Sequence, residues 1–382
     1  MSTVDIIRPV KLSIVIPCYN EENTLEMCLE NVLGIRDNNL SLEIIIVDDC
    51  SKDKSTQIAE KLAGKYQEIV LLRHKTNHGK GAALRTGFQN ATGEFVAIQD
   101  ADLEYNPQDL KKLLVPLVDN KADVVLGSRF LTSDAHRVLY FWHYLGNQFL
   151  TLLSNMFTDL NLTDMECCYK LFRREIIQAI NIEENRFGVE PEIVAKVSQM
   201  RPRIFEMGIS YSARTYEEGK KIGIRDGIRA LYCIFHYNAH KAPFPVQFLI
   251  YLFVGGFSAL ANIGSFYLLY VSGINMNIAV PVAFFLAATI NYLLCIFLLF
   301  RHKARWNSMN EIFLYILLVC VVGFLDYEVT KNLFLIGNPP VFAKSVASIS
   351  VLLFNFLGRK YFIFQESSSG PWKPQVDSLR DK

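Results

Sequence analysis

The stretch Phe95-Val96-Ala97-Ile98-Gln99-Asp100-Ala101-Asp102 joins a short apolar run directly to two carboxylates spaced one residue apart. The apolar part predicts a buried β-strand, because it is short and turn residues follow it. Asp100 and Asp102 would then lie at the carboxyl end of the strand, where open α/β sheets bind ligands. Alternate residues of an extended chain project to the same side, so both carboxylates can face one ion.

Hard oxygen ligands of this kind suit Mg²⁺ or Mn²⁺ held together with substrate phosphates. An isolated Asp-x-Asp pair is more often a solvated acidic turn. The rest of the chain favours the functional interpretation.

Four further apolar runs predict strands, at residues 12–16, 43–47, 69–72 and 124–126. Helical spacing of apolar residues fills the gaps, over about 25–33, 58–66, 81–88 and 110–118. Strands that alternate with helices predict a parallel sheet covered on both faces. The first strand–helix turn contains no glycine, which excludes a G-x-G-x-x-G dinucleotide site, and Gly79-Lys80-Gly81 lacks the rest of a P-loop.

The composition divides the chain into two parts. Apolar residues make up 51% of the 382, and the excess is concentrated beyond Pro243. Residues up to about Lys241 have the mixed composition of a globular domain. The formal net charge is +1 and no charge run is present, so we expect no nucleic-acid partner.

Four stretches in the second part are long enough to cross a bilayer, at about 247–272, 277–300, 311–335 and 341–363. The connectors 273–276 and 336–340 carry no charge, whereas three basic residues lie within 301–305. The positive-inside rule then places both termini in the cytoplasm. We therefore expect an integral membrane protein, in the plasma membrane of a prokaryote, with a cytoplasmic catalytic domain.

Two short patterns in this part also have functional interest. Asn291-Tyr292-Leu293 recurs as Asn355-Phe356-Leu357, which indicates two repeated hairpins. Asp326, Glu328 and Lys331 in the third stretch indicate either a polar pathway within the membrane or an early end of the span at the headgroups.

Ligand motifs occur where the predicted sheet would place them. The first strand runs into Pro17-Cys18-Tyr19-Asn20-Glu21-Glu22, and the second ends in Asp48-Asp49, with Ser51 as a good helix N-cap. An acidic pair at that corner can accept hydrogen bonds from a base N–H or from ribose hydroxyls.

The order of these motifs resembles that of the family 2 glycosyltransferases of the GT-A fold, over roughly residues 11–240. The matching segments are 13–22, Val47-Asp48-Asp49-x-Ser51, Gly79-Lys80-Gly81, Asp100-Ala101-Asp102 and Gly127-Ser128-Arg129. Within that family the chain looks most like the polyprenyl-phosphate glycosyltransferases of the dolichyl-phosphate mannose synthase type. The pointers are Thr163-Asp164, 168–172, 186–190 and 214–221.

The resemblance implies an α/β GT-A domain, Rossmann-like and nucleotide-sugar-binding, followed by an all-α four-helix transmembrane domain of the GtrA-like kind. The boundaries we expect are a cytoplasmic domain over 1–221, an interfacial amphipathic helix and linker over 222–242, four spans over 243–364 and a polar tail over 365–382.

The implied activity is a metal-dependent, inverting transfer of one sugar from a nucleotide sugar to a polyprenyl phosphate. The donor would be of the GDP-mannose or UDP-glucose type, and the acceptor dolichyl or undecaprenyl phosphate. The implied donor-binding residues are Pro17, Tyr19, Glu21, Asp48, Asp49, Lys80, Asp100 and Ala101. The implied metal ligands are Asp100, Asp102 and Glu104, although Glu104 stands where close relatives have Gln.

The acceptor is already an anion near neutral pH, so it needs screening by cations more than it needs a general base. The candidate acceptor-phosphate residues are Arg129, Arg214, Lys220 and Lys221, and the candidate catalytic residues are Asp102, Arg129, Asp164 and Glu190. Asp164 and Glu190 either orient the acceptor or a cation, or form structural ion pairs with neighbours such as Arg173 or Arg186.

Three other functions compete with this interpretation. The four spans could flip the glycolipid, the chain could be a processive polysaccharide synthase, or it could be an inactive membrane scaffold. The intact acidic motif disfavours a scaffold, and His302-Lys303-Ala304-Arg305-Trp306 lacks the Gln of the processive Q-x-x-R-W motif. Whether the protein forms a homo-oligomer stays open.

Overall fold

The computed structural model describes residues 6, 8–131, 138, 140–212, 223–296, 308–339, 346, 350 and 353–363. The chain divides into two compact units between Lys241 and Ala242. Three of the predicted acceptor-phosphate residues, Arg214, Lys220 and Lys221, lie outside the described residues.

The first unit is built on one seven-stranded sheet. Its strands are β1 Val10–Cys18, β2 Leu40–Asp48, β3 Ile69–Arg73, β4 Phe95–Ile98, β5 Val124–Ser128, β6 Lys170–Arg173 and β7 Ile204–Gly208. Their order across the sheet is β3-β2-β1-β4-β6-β5-β7. Each of the five predicted apolar runs forms a strand, and all but the edge strand β3 are largely buried.

Eight helices are described in this unit. They are α1 Leu25–Leu33, α2 Ser55–Lys65, α3 Lys80–Asn90, α4 Gln108–Val118, α5 Phe141–Thr158, α6 Arg174–Ala179, α7 Val189–Met200 and α8 Ile224–Asn238, with a 3-10 turn at Ala239–Lys241. The helical spacing read from the sequence corresponds to α1 through α4.

The prediction of a purely parallel sheet is wrong, because β6 runs antiparallel to both β4 and β5. Lys170 to Phe172 are buried, so burial marks β6 as a central strand but carries no information about its direction. A buried hydrogen bond of 2.6 Å from the Tyr169 hydroxyl to Gln99 Oε1 ties the start of β6 to the end of β4. The residues before β6 therefore lie at the same edge as the residues after β4.

The described residues of the second unit form three long helices and a π-helical turn. The helices are α9 Phe244–Val271, α10 Met276–Leu294 and α11 Ser308–Leu335, and the turn covers Arg359–Ile363. Within the described part of the chain, no helix has the length and apolar character required to cross a membrane. Ten of the 23 residues of the fourth predicted span, and the side chains of Asp326 and Lys331, fall outside that part.

A buried arginine joins the two repeated segments of this unit. Arg359 donates from Nη1 to Asn291 Oδ1 at 2.6 Å and from Nε to Asn355 Oδ1 at 3.2 Å, so it binds the first residue of each copy. It also donates to the Cys295 thiol at 3.3 Å and to the Tyr315 hydroxyl at 3.3 Å. Cys295 occupies the position in the first copy that Arg359 occupies in the second.

Helix α3 packs closely on β1 at a glycine. A Cβ atom at Gly87 would overlap Cγ1 of Val15, which is a buried, branched side chain with few alternative rotamers. Gly64 in α2 has no atoms within 4 Å of the corresponding position.

We predict opposite effects for alanine at these two positions. Gly87→Ala should lower stability by about 1–3 kcal/mol through overpacking, whereas Gly64→Ala should raise it by about 0.5–1 kcal/mol through its effect on helix propensity. Thermal unfolding of the purified variants measures both shifts. A Gly87→Ala variant as stable as Gly64→Ala would contradict the close packing of α3 on β1.

Candidate active site

A cavity of about 760 Å³ opens at the carboxyl edge of the sheet. The ends of β1, β2 and β4, the segment before β6 and four helices, α3, α5, α7 and α8, contribute to its wall. Of the predicted site residues, those that line it are Pro17, Tyr19, Glu21, Asp49, Lys80, Asp100, Ala101, Asp102, Glu104, Arg129 and Glu190. The described residues that the sequence places in one site are thus brought together, with the exceptions of Asp48 and Asp164.

Asp48 is an internal structural residue. It is 2% exposed, accepts hydrogen bonds from the Ser51 amide at 3.1 Å and the Thr56 hydroxyl at 2.7 Å, and is absent from the cavity wall. The carboxylate therefore stabilises the turn into α2. The expectation that both members of the acidic pair face the nucleoside is wrong for Asp48.

Asp49 lines the cavity and fixes the loop that precedes α3. Its carboxylate accepts hydrogen bonds from the amides of His78 at 2.9 Å and Gly79 at 2.6 Å, and contacts His74 Nδ1 at 2.7 Å. Gly79 has φ +98° and a Cβ there would overlap the Asn185 carbonyl, so glycine is required at this turn. This arrangement delivers Lys80, the first residue of α3, to the cavity.

Lys80 lies between two carboxylates from different elements. Its Nζ is 2.9 Å from Asp100 Oδ1 and 2.8 Å from Glu190 Oε1. Burial opposes the ammonium charge, but the two carboxylates outweigh it and hold the pKa of Lys80 well above its ordinary value. Lys80 is therefore a fixed positive charge beside the end of β4.

The three predicted metal ligands do not form one cluster. Asp100 pairs with Lys80, Asp102 Oδ1 accepts the Glu104 amide at 3.2 Å, and Glu104 Oε2 accepts the Tyr211 hydroxyl at 3.1 Å. Among the described residues, no three acidic, His or Cys side chains are placed to hold a metal ion together. Asp100 and Asp102 still offer hard oxygens to one cavity, which fits Mg²⁺ or Mn²⁺ completed by water and diphosphate oxygens.

Arg129 and Asp164 form a two-pronged ion pair. Arg129 Nε and Nη2 each donate to one Asp164 oxygen at 2.7 Å, and the Arg129 amide donates at 3.0 Å. Asp164 is 1% exposed, so it does not reach a ligand; it orients Arg129, which lines the cavity. The alternative pairings with Arg173 or Arg186 are wrong, because Asp164 pairs with Arg129 and Glu190 with Lys80.

Glu166 is a cavity residue that the sequence analysis missed. Its Oε1 is shielded from solvent and has no hydrogen-bond partner in the described structure. Burial raises the pKa of Glu166 to about 7, and the nearby Glu190 charge acts in the same direction. The sequence signal that could have identified Glu166 is an acidic residue shortly before the buried strand β6. Glu166 reaches the cavity only because β6 runs antiparallel to its neighbours, and the sequence does not show that direction.

The mixed sheet, with Asp100-Ala101-Asp102 at the end of β4, is the arrangement expected for the GT-A fold. Residues 13–180 match the family described as glycosyl transferase family 2, and residues 250–364 match the GtrA/DPMS transmembrane domain. The chain is therefore a glycosyltransferase that joins a family 2 domain to a GtrA/DPMS transmembrane domain.

The curated relatives of the chain include enzymes from Trichomonas vaginalis and Pyrococcus furiosus. A dolichyl-phosphate beta-glucosyltransferase of Trichomonas vaginalis is 29% identical over 58% of this chain and 70% of its own length. A dolichol-phosphate mannosyltransferase of Pyrococcus furiosus is 27% identical over 71% of this chain and 76% of its own length. Among solved structures, glucosyl-3-phosphoglycerate synthase of Mycobacterium tuberculosis with Mn²⁺, UDP and phosphoglyceric acid has a TM-score of 0.48 and 17% identity, over 61% of this chain and 80% of that one.

The raised pKa of Glu166 predicts a pH dependence of stability. The unfolded chain releases this proton near the ordinary value of 4.5 and the folded chain near 7, so the unfolded state binds fewer protons between these values. This carboxyl therefore reduces stability as pH rises through that window, and the penalty is constant above it. At 1.36 kcal/mol per pKa unit, the penalty is at most about 3 kcal/mol.

Glu166→Gln imitates the protonated carboxyl and should remove this penalty. We expect the variant and the wild type to unfold at the same temperature near pH 4.5, and the variant to unfold at a higher temperature at pH 8. Thermal unfolding across this range measures the difference, with the exposed Glu175→Gln as control. Parallel curves for Glu166→Gln and the wild type would contradict the raised pKa.

Proposed function

We propose that this enzyme transfers one sugar from a nucleotide sugar to the phosphate of a polyprenyl phosphate at the cytoplasmic face of a membrane. One observation carries the proposal: Asp100 and Asp102 share a cavity with Arg129, a cation that a buried carboxylate orients. The cavity thus offers metal-type ligands for a diphosphate and, separately, a cation for a second phosphate. The names of the curated relatives support an acceptor of this class.

The donor would lie along the ends of β1, β2 and β4. Pro17, Tyr19 and Glu21 form the wall for the nucleoside, and Lys80 lies beside Asp100 at the diphosphate end. Mg²⁺ or Mn²⁺ at Asp100 and Asp102 would supply positive charge to the leaving diphosphate. Lys80 adds a permanent charge that electrostatically favours the same anion.

The acceptor phosphate would lie near Arg129. One of its oxygens attacks the anomeric carbon while the bond from that carbon to the diphosphate breaks, which inverts the configuration and releases a nucleoside diphosphate. The attacking oxygen is already anionic, so the step requires no general base. Arg129 reduces the repulsion between the two anions, and Asp164 holds its guanidinium in place.

We further propose that α5 and α8 face the lipid. Both helices line the cavity, and their Phe157 and Phe235 rings meet edge to face at 4.9 Å. Each also has an exposed apolar face: Trp142 in α5 is 77% exposed and Ile228 in α8 is 64% exposed. Amphipathic faces rich in aromatic residues suit the headgroup region of a bilayer. The GtrA/DPMS domain would supply the four spans over 243–364 that anchor the protein in the membrane.

The proposed reaction can be tested with labelled nucleotide sugars and polyprenyl phosphate. We expect one nucleotide sugar to deliver its label to the organic phase, and EDTA to stop the transfer until Mg²⁺ or Mn²⁺ is added. Asp102→Asn should abolish transfer and Asp100→Asn should nearly do so, while both variants unfold at nearly the wild-type temperature. Full turnover in metal-free buffer would refute the metal role, and label that stays in water for every donor would refute the acceptor class.

A second prediction concerns Arg129. Arg129→Ala should bind nucleoside diphosphate almost normally but transfer about 10²–10³ times more slowly, because one electrostatic contact made in the transition state is lost. Lys at this position should recover only part of the rate, since it lacks the planar fork that pairs with Asp164. Calorimetry and single-turnover rates separate the two quantities.

The matched control is Arg36→Ala, which removes a surface arginine paired with Glu68. Normal transfer together with much weaker nucleoside diphosphate binding by Arg129→Ala would assign Arg129 to the donor. The same pair of measurements on Arg214→Ala would show whether that residue contributes to acceptor binding, as the sequence predicts.

A further inference from the structure

Two carboxylates of the cavity have no role in the proposed transfer. Glu166 and Glu190 both line the cavity, and Glu166 Oε1 and Glu190 Oε2 are buried atoms without a hydrogen-bond partner in the described part of the chain. Glu190 is only 7% exposed. Buried acceptors of this kind are costly unless a ligand or water donates to them.

The surroundings of the two carboxylates locate them within the cavity. Glu190 Oε1 binds Lys80, which also holds Asp100 at the proposed diphosphate end. Glu166 is close enough to Glu190, Arg129 and Asp164 for their charges to act on its carboxyl group. Glu190 is tied through Lys80 to the proposed diphosphate end, and both carboxylates share the cavity wall with Arg129, so they border the interval between the two proposed phosphate positions.

The transferred sugar has to occupy that interval, because its anomeric carbon exchanges one phosphate oxygen for the other. Sugar hydroxyls are neutral donors, and carboxylate oxygens accept from them in hydrogen bonds stronger than those between neutral groups. A phosphate, in contrast, would be repelled by Glu190. The charge pattern thus favours a polyhydroxyl ligand at this position.

We propose that Glu166 and Glu190 bind hydroxyl groups of the transferred sugar and determine which sugar the enzyme accepts. This inference rests on the proposed function for the order of the groups along the cavity. It assigns Glu166, which was not among the residues predicted from the sequence, to the donor sugar, and it gives Glu190 a ligand contact in addition to its ion pair with Lys80.

The test compares nucleotide sugars with their nucleoside diphosphates. Calorimetric titration with UDP, UDP-glucose, GDP and GDP-mannose, each with Mg²⁺, would be carried out on the wild type, Glu166→Gln and Glu175→Gln. Glu175 is an exposed carboxylate of α6 outside the cavity and serves as the matched control. The variant amide keeps the size of the side chain but replaces one acceptor oxygen with a donor group.

We expect the wild type to bind one nucleotide sugar more tightly than the corresponding nucleoside diphosphate. Glu166→Gln should weaken binding of that nucleotide sugar about 10- to 100-fold, the range for losing a hydrogen bond to a charged group, and leave the nucleoside diphosphate unchanged. Nucleotide sugars that each lack one hydroxyl group should identify the hydroxyl that Glu166 binds. The sugar without that hydroxyl should bind to the wild type and to Glu166→Gln with equal affinity. Glu190→Gln should also weaken binding of the nucleotide sugar more than binding of the nucleoside diphosphate. If the loss of the ion pair lets Lys80 move, the affinity for the nucleoside diphosphate should fall as well.

Two results would overturn the inference. Equal weakening of nucleotide sugar and nucleoside diphosphate by Glu166→Gln would place the residue at the diphosphate or in folding, and unchanged binding of both would remove it from donor recognition. Failure of the proposed function would give a different result. The nucleotide sugar would still bind more tightly than its nucleoside diphosphate, and this preference would still require Glu166, but no label would be transferred to polyprenyl phosphate.

Discussion

A single buried ammonium organises the cavity of this enzyme. Lys80 bridges Asp100, which follows β4, and Glu190, which belongs to α7, so that carboxylates from two distant segments share one positive charge. Without it, the negative charges of Asp100 and Glu190 would repel each other with no cation between them. Asp49 fixes the position of Lys80 from a third segment by binding the amides at the start of α3. The geometry of the donor end thus depends on three carboxylates and one lysine.

The reversed strand β6 gives the cavity its second half. A parallel strand would place its carboxyl end at the ligand edge, whereas β6 places its amino end there. The segment that enters β6 therefore brings Glu166 and Cys168 into the cavity that Asp100 and Asp102 line. Asp164 orients Arg129 at the end of β5, so both proposed phosphate positions border the same few residues of chain.

Local properties were predictable from the sequence and non-local ones were not. The strand of residues 95–98 and the helices that follow β1 and β2 depend on nearby apolar spacing. The strand and the first of these helices were predicted with their observed bounds, and the second helix begins three residues before its predicted start. The directions of β6 and β7 are determined by pairing with distant strands, which single-chain periodicity does not reveal. The same limit applies to the site, where the Asp-x-Asp pair was evident from the sequence. The internal role of Asp48 depends on a hydrogen bond to a residue eight positions away. The position of Glu166 in the cavity depends on the pairing of β6 with β4, whose adjoining residues Tyr169 and Gln99 are 70 positions apart.

The arginine that joins the two repeats of the second unit constrains how such a domain could arise by duplication. Arg359 binds an asparagine from each copy and lies against Cys295, its counterpart in the first copy. If both copies carried arginine, two guanidinium groups would meet in the same buried position and repel each other. A half-length ancestor that paired with itself would have presented such a clash. The arginine is therefore compatible only with copies that can change separately, as they can once both are encoded in one chain.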